Sequence, residues 1–181
     1  MDFSIRKAAL DDLAGIERLI AASVRGLSRA HYTDEQIERS VRTVFGVDTE
    51  LIRDRTYFAA GESGTGKLVG CGGWGKRKTL YGASRFSYSR DSAELDPRTD
   101  PARIRAFFIH PDFARRGIGK AILNLCEEEA RAAGFRSAEM MATLPGVEFY
   151  QASGYAGEER VAVPIGDGLE IICIRMSKSL I

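Results

Sequence analysis

The sequence has no long apolar run and no excess of charge of either sign. No stretch approaches the roughly 20 consecutive apolar residues of a membrane-spanning helix, so we expect no membrane partner. The 26 lysines and arginines nearly balance the 25 acidic residues and leave a formal net charge of +1. A nucleic-acid-binding surface usually shows as a clustered basic excess. We therefore expect no nucleic-acid partner.

Cysteine is also scarce, and the three present, Cys71, Cys126 and Cys173, are widely spaced. A disulfide framework needs an even set of cysteines, and a zinc site needs closely spaced pairs. We interpret the three as buried free thiols and expect no metal site. The first residues lack the basic and then apolar pattern of a secretory leader, so we expect a cytoplasmic protein.

The length of 181 residues and the ordinary content of 44% hydrophobic and 28% charged residues fit a single domain over residues 1–181. No internal repeat or linker interrupts it. Hydrophobic periodicity predicts strands at residues 3–7, 56–60, 68–76, 102–109, 135–142, 155–163 and 169–176. It predicts helices at residues 10–24, 33–44, 118–133 and 143–154. This order predicts an α/β fold with one mixed sheet and helices on both faces.

Two local patterns refine this picture. Residues 171–174 are apolar on both faces, which predicts that the last strand lies inside the sheet. Residues 80–101 have no regular pattern and mix aromatic with charged side chains, among them Arg85 and Tyr88. A segment of this length either covers a ligand or is a solvated insert, and the sequence leaves both open.

The stretch from Arg103 to Gly134 predicts a strand, a basic glycine turn and a helix. The apolar run at residues 104–109 ends at His110-Pro111, as a strand does. After the turn, apolar residues recur at helical spacing at positions 118, 121, 122, 125 and 126. The turn therefore lies where a strand gives way to a helix N-terminus.

Such a turn can bind a phosphate. The first N–H groups of a helix have no partner inside it, and the helix dipole adds partial positive charge there. Gly117 and Gly119 let the backbone approach a ligand closely, and Arg115 and Arg116 add full charge. A capped helix with two solvated arginines would show the same short pattern. The turn is neither a Walker loop nor a G-x-G-x-x-G fingerprint.

Two blocks resemble the GNAT superfamily of N-acetyltransferases. Residues 114–119, A-R-R-G-I-G, are similar to its Gln/Arg-x-x-Gly-x-Gly/Ala motif, although Ala114 stands where Gln or Arg is usual. Residues 149–155, F-Y-Q-A-S-G-Y, are similar to its F-Y-x-x-x-G-F/Y segment. Thr143 stands where many members have an asparagine, seven residues before the tyrosine. The blocks have the family's order and spacing.

The resemblance implies a single GNAT-like domain with a strongly twisted sheet. It implies an enzyme that uses acetyl-CoA as co-substrate, without a metal, and transfers the acetyl group to a primary amine by direct attack. The CoA-binding residues it implies are Phe107, Phe108 and Ile109 for pantetheine, and Arg115, Arg116, Gly117, Ile118, Gly119 and Lys120 for pyrophosphate. A backbone N–H of the strand would stabilise the oxyanion. Tyr150 would be the catalytic proton donor to the departing thiolate.

Several points stay open from the sequence. Where some family members have a glutamate, residues 103–109 carry Arg103 and Arg105, and we interpret Glu139 as a solvent-facing residue rather than the general base. The acceptor, a small-molecule or peptide amine, and the acyl length of the donor are not identified. A non-catalytic CoA-binding regulatory module and a protein that binds another nucleotide are the alternative functions. An exposed sheet edge would permit a homodimer.

Overall fold

In a computed structural model, which describes residues 3–86 and 90–181, seven strands form one sheet in the order β1-β2-β3-β4-β5-β7-β6. The strands are β1 (Phe3–Lys7), β2 (Tyr57–Glu62), β3 (Leu68–Gly75), β4 (Ala102–Ile109), β5 (Ser137–Thr143), β6 (Ala156–Gly166) and β7 (Leu169–Ser179). Neighbouring strands are antiparallel except β4 and β5, which are parallel. The strand β7 lies inside the sheet, as its apolar sequence predicts.

Helices cover both faces of this sheet. They are α1 (Leu13–Leu27), α2 (Asp34–Arg42), α3 (Thr49–Arg53), α4 (Ile118–Ala132) and α5 (Val147–Ala152). On one face, Ile118, Ile122 and Cys126 of α4 pack into a core with Ile104 and Met140. On the other face, a second core contains the buried face of α1, with α3 and the inner residues of β7. The predicted α/β fold with a mixed sheet between two helical layers is confirmed.

Local sequence signals explain most helix ends. Thr33 accepts a hydrogen bond from the amide of Gln36 at 3.2 Å and donates its own amide to the Gln36 side chain at 3.0 Å, which forms the predicted capping box. The first predicted helix begins later than expected, at Leu13, because a short 3₁₀ turn occupies residues 10–12. The helix α3 was not predicted, since five residues are too few to show helical periodicity.

A buried ion pair joins α3 to the centre of the sheet. Asp48, the N-cap of α3, lies 2.7 Å from Arg105 of β4, and these side chains are 1% and 3% exposed. Arg90 donates to the same carboxylate at 2.8 Å. Burial alone would raise the pKa of Asp48, but the charges and hydrogen bonds of Arg105 and Arg90 outweigh it and lower that pKa. The pair fixes the loop before α3 against β4.

We predict that Asp48→Ala lowers the free energy of unfolding by about 3–5 kcal/mol, because Arg105 would be left charged and buried without its partner. Urea denaturation at neutral pH measures this loss. Glu38→Ala is the control, since it removes an equally short but exposed pair with Arg25 and should leave stability near wild type.

The same pair predicts an acid dependence. Because the pKa of Asp48 is lowered in the fold, its contribution is present above the ordinary value of 3.8 and is lost as the pH falls through the lower folded value. The difference between wild type and Asp48→Ala should therefore shrink below pH of about 4. An unchanged difference at low pH would contradict this account.

Candidate active site

The parallel strands β4 and β5 pair only at their beginnings. Ala102 pairs with Ala138 and Arg103 with Glu139, and no ladder joins the two strands beyond these pairs. The strand β5 stays paired with β7 along its whole length, and β4 stays paired with β3 as far as Ile109. The two strands therefore diverge, and the later half of β4 has an open backbone edge inside the sheet.

A β-bulge lies in β4 at this divergence. Ala106 has a positive φ of 55°, and the pairing with β3 shifts between Cys71 and Gly73. The hydroxyl of Tyr57 donates to the Ala106 carbonyl at 3.1 Å and holds the bulge. A side chain at position 72 would meet the ring of Phe107 at 2.7 Å, so glycine is needed there. Bulges bend a strand and redirect its groups, and this one lies at the open edge.

A cavity of about 600 Å³ fills the gap between β4 and β5. Phe107, Ile109, Phe149 and Tyr150 line it and pack with the core on the α4 face. Val24, Phe45, Phe108, Val163 and Cys173 also line it and pack with the core on the α1 face. The cavity therefore passes through the sheet and reaches both faces.

The glycine turn lies at one end of this cavity. Gly117 is the N-cap of α4 with φ of 84°, and its carbonyl accepts the first helical hydrogen bond, from the amide of Ala121 at 2.9 Å. The N–H groups before Ala121 therefore have no partner within the helix. Arg115, Gly117 and Lys120 are exposed and line the cavity. This arrangement has the free amides and positive charge that an anionic phosphate requires.

Three other residues of the predicted pyrophosphate site have different roles. Gly119 lines the cavity, and an added Cβ there would lie at ordinary contact distance from Phe149, 3.4 Å. The side chain of Ile118 is 2% exposed and belongs to the core, so only its backbone is available to a ligand. Arg116 does not line the cavity, and its guanidinium lies 5.1 Å from the ring centroid of Phe113.

The predicted pantetheine-binding residues Phe107, Phe108 and Ile109 lie along the open edge of β4. Their side chains alternate between the faces, because Phe107 and Ile109 pack with the α4 core and Phe108 with the α1 core. The amide of Ile109 already donates to the hydroxyl of Ser23 on α1 at 3.2 Å. Ser23 was not predicted, since its partner is 86 residues away along the chain.

Tyr150 lies on α5 in a cluster of aromatic rings. Its ring centroid is 4.9 Å from that of Phe149, 6.0 Å from Tyr155 and 6.3 Å from Phe107. The residue is 9% exposed and lines the cavity. Among the described residues, none makes a hydrogen bond to its hydroxyl. Burial, and secondarily the nearby Cys126, raises the pKa of Tyr150 above its usual value, so the phenol stays protonated at neutral pH.

The interpretation of Glu139 as a solvent-facing residue is wrong. Its side chain is 7% exposed, forms an ion pair with Arg103, and accepts from Arg175 at 2.8 and 2.9 Å. Arg103 lies on β4 and Arg175 on β7, so the partners come from both neighbouring strands. Glu139 does not line the cavity. It joins three strands at the point where β4 and β5 begin to diverge.

Part of the irregular segment before β4 contributes to the cavity wall. Just before this segment, the amides of Lys78 and Thr79 donate at 2.9 Å to the carbonyls of Ala93 and Asp91, which lie within it. Residues 80–83 line the cavity. Arg85 donates to the carbonyl of Val41 at 2.7 Å and so supports this wall from outside. Tyr88 lies outside the residues that the structure describes.

Other features of the described chain bear on the chemistry. Cys71, Cys126 and Cys173 are buried free thiols. Residues 3–86 and 90–181 contain no group of three or more histidine, cysteine or acidic residues arranged to hold a metal ion. Within those same ranges, no helix has both the length and the apolar character needed to cross a bilayer.

Solved structures with the same fold include several acetyltransferases. A GCN5-related N-acetyltransferase from Rhodopseudomonas palustris has 21% identity and a TM-score of 0.70, covering 99% of this chain and 98% of that chain. The PaiA N-acetyltransferase from Thermoplasma acidophilum, solved with coenzyme A, has 17% identity and a TM-score of 0.66, covering 99% of both chains. YncA of Salmonella typhimurium, a putative acetyltransferase solved with acetyl-CoA, has 16% identity and a TM-score of 0.63, covering 100% and 95%.

At these low identities, the structural similarity shows a shared fold only. The family is shown by a comparison of the sequence with family models. No curated protein sequence gives a significant match. The model of the acetyltransferase (GNAT) family, however, matches residues 21–155, which is well over half of the chain. That range contains the open edge of β4, the glycine turn and Tyr150. The chain belongs to the GNAT family of acetyltransferases.

Proposed function

We propose that this protein is an acetyl-CoA-dependent N-acetyltransferase that acts on the primary amine of a small-molecule or peptide acceptor by direct attack. The observation that carries the proposal is that one cavity adjoins the open edge of β4, the free amides at the start of α4, and the side chain of Tyr150. Each of these groups matches one part of an acyl-CoA thioester. The CoA-bound structures of PaiA and YncA support this reading.

The chain provides a suitable group for each part of CoA. The first amides of α4, together with Arg115 and Lys120, would bind the pyrophosphate. Gly117 leaves open space there, since an added Cβ would have no atom within 4 Å. The amide-rich pantetheine arm would pair with β4 at Phe107 and Phe108, as in strand addition. At Ile109 the arm would meet an amide that already donates to Ser23.

The groups near the reacting carbon favour direct transfer over an acyl-enzyme. Cys173 lines the cavity, but burial raises the pKa of its thiol to about 12, so it is not the thiolate that a nucleophile requires. The hydroxyl of Ser23 accepts from a backbone amide and, among the described residues, makes no hydrogen bond to a histidine or a carboxylate. A backbone N–H of β4 would stabilise the oxyanion as the amine attacks.

Tyr150 would donate a hydrogen bond to the departing sulfur. An ordinary thiol has a pKa of about 8.5, and that of Tyr150 is raised above the ordinary tyrosine value of 10.0. Complete transfer from the phenol to a free thiolate would therefore be uphill. We infer that the proton moves only as the C–S bond breaks, or that the phenol stabilises the thiolate without losing its proton.

The direct test is an acceptor screen that detects free CoA thiol in the presence of acetyl-CoA. The proposal is supported if the release of CoA thiol depends on an added amine and mass spectrometry detects the acetylated amine. Binding of acetyl-CoA without transfer to any amine would favour a CoA-binding regulatory module instead. A location in the cytoplasm and a homodimer formed through an exposed sheet edge stay as predictions.

We predict that Gly117→Ala weakens acetyl-CoA binding by roughly tenfold or more, because a Cβ in the left-handed conformation strains the turn that presents the amides. Isothermal titration calorimetry measures the change. Gly64→Ala is a matched control, since Gly64 has φ of 88° against 84° for Gly117 and also has no atom within 4 Å of an added Cβ.

Both glycine variants should lose about 1 kcal/mol of stability, which is the ordinary cost of a non-glycine residue in this conformation. Only Gly117→Ala should lose affinity, because Gly64 lies in the turn between β2 and β3 and does not line the cavity. Equal acetyl-CoA affinities in the two variants would show that the turn does not bind the pyrophosphate.

We predict that Tyr150→Phe lowers kcat by about 100- to 10,000-fold and leaves acetyl-CoA affinity nearly unchanged, because the O–H acts on charge that develops in the transition state. Steady-state kinetics and calorimetry measure the two quantities. Tyr155→Phe is the control, because Tyr155 belongs to the same ring cluster but does not line the cavity.

The pH profile gives a second readout for Tyr150. Because its pKa is raised, the phenol keeps its proton as the pH rises, and the wild-type rate should not fall from tyrosine ionisation below pH 10.0. If Tyr150→Phe turns over within about threefold of wild type while chemistry limits the rate, Tyr150 is a packing residue only.

A further inference from the structure

The part of the cavity on the α1 face is lined by apolar side chains, and we call it the acceptor chamber. It lies across the gap between β4 and β5 from the glycine turn. Its wall contains Val24, Phe45, Phe108, Val163, Ile171 and Cys173. These residues come from α1, the loop after α2, β4 and the hairpin of β6 and β7. A molecule in this chamber would have apolar atoms around it on several sides.

The chamber wall has no carboxylate among the described residues. The only acidic residue that lines the described cavity is Glu148, which lies on α5 next to Phe149 at the α4 face. Over the described part of the chain, the chamber wall has three titratable side chains. They are the guanidinium of Arg105, the phenol of Tyr81 and the thiol of Cys173. Ser23, Ser28 and Thr143 provide neutral hydroxyl groups.

The acidic residues behind the wall are already bound to arginines. Asp48 accepts from Arg90 at 2.8 Å and forms an ion pair with Arg105. Glu17 forms an ion pair with Arg85 at 3.2 Å and does not line the cavity.

The nearest cation to the chamber is also bound. Arg105 lines the cavity, but its side chain is 3% exposed and donates to the Gly82 carbonyl at 2.8 Å as well as pairing with Asp48. Among the described residues, the chamber therefore offers no free charged group, and in particular no free carboxylate as counter-ion for an ammonium group.

We propose that the acceptor is a weakly basic amine on an apolar, ring-sized group, and that it enters the chamber as the neutral amine. The proposal rests on the N-acetyltransferase function proposed above. An ammonium ion in this chamber would lose its hydration and find no carboxylate, which is strongly unfavourable. Without a carboxylate base in the chamber, the enzyme selects amines that are already neutral in solution to a useful extent.

The basicity of the amine sets the size of this selection. A lysine-like alkylamine has a pKa of about 10.4, so only about 1 molecule in 2,500 is neutral at pH 7. An α-amino group has a pKa of about 7.7–8.0, so about 1 in 5 to 1 in 10 is neutral. The neutral populations differ by a few hundred-fold, and the lower nucleophilicity of the weaker base offsets part of this. Polyamines and lysine side chains are therefore poor acceptors.

The test compares two acceptors of similar shape and different basicity. Phenylalanine amide carries an α-amino group, and 2-phenylethylamine is the corresponding alkylamine without the carboxamide. Spermidine represents polar, strongly basic acceptors. We expect kcat/KM at pH 7 to be about 100-fold higher for phenylalanine amide than for 2-phenylethylamine, with spermidine lower still. For 2-phenylethylamine, kcat/KM should rise about tenfold per pH unit between pH 7 and 9, and for phenylalanine amide it should level off.

A substitution at the chamber's rim tests the same idea on the protein side. Leu27, at the C-terminal end of α1, lines the cavity and is 38% exposed, so a polar residue is tolerated there. Leu27→Glu should raise kcat/KM for 2-phenylethylamine severalfold relative to phenylalanine amide, because it supplies the missing carboxylate. Leu27→Gln has nearly the same shape without the charge, and Leu10→Glu places a charge at an exposed site outside the cavity. Neither control should change the ratio.

The outcomes separate this proposal from the proposed function. Spermidine as the best acceptor, or a kcat/KM for 2-phenylethylamine that does not change between pH 7 and 9, would overturn the proposal while acetyl transfer stands. Acetyl-CoA binding by calorimetry with no transfer to phenylalanine amide would also overturn it. If acetyl-CoA itself does not bind, the proposed function fails first, and this inference fails with it.

Discussion

The divergence of β4 from β5 is the constraint on which the rest of the structure depends. Buried backbone groups must find hydrogen-bond partners, so an open edge inside a sheet is unfavourable unless other contacts hold it open. Glu139 joins β4, β5 and β7 through Arg103 and Arg175 at the last paired residues. Beyond that point, β5 follows β7 while β4 follows β3 through a bulge. The ion pairs fix where the gap begins, and the bulge lies inside it.

This gap brings together groups from distant parts of the sequence. The start of α4 and the rings around Tyr150 face it from one side of the sheet, and α1 with the β6–β7 hairpin faces it from the other. In the proposed reaction, two substrates would be able to approach the same backbone edge from opposite faces, so both could be bound at once, as direct transfer requires. The arrangement also explains why one strand, β4, contributes consecutive residues to both sides.

The fold was largely predictable because its signals are local. Alternating apolar residues gave the strands, the capping box at Thr33 gave the start of α2, and the strand–glycine–helix pattern located Gly117 at a helix N-cap. The errors involve contacts that no local pattern contains. The prediction of a solvent-facing Glu139 is wrong because its partner Arg175 is 36 residues away along the chain, and the pairing of Asp48 with Arg105 likewise joins α3 to the distant strand β4.

The same long-range pairs shape the chemistry of the chamber. Burying a charge is tolerated only when a partner neutralises it, and here the buried carboxylates of Asp48 and Glu139 each have an arginine partner. These pairs join α3 and β5 to β4, and neither carboxylate lines the cavity. A carboxylate that served as a general base there would need to be free of such a partner. The charges that hold the gap open are therefore unavailable for proton transfer, and in the proposed reaction the acceptor's own basicity would govern how much reactive amine is present.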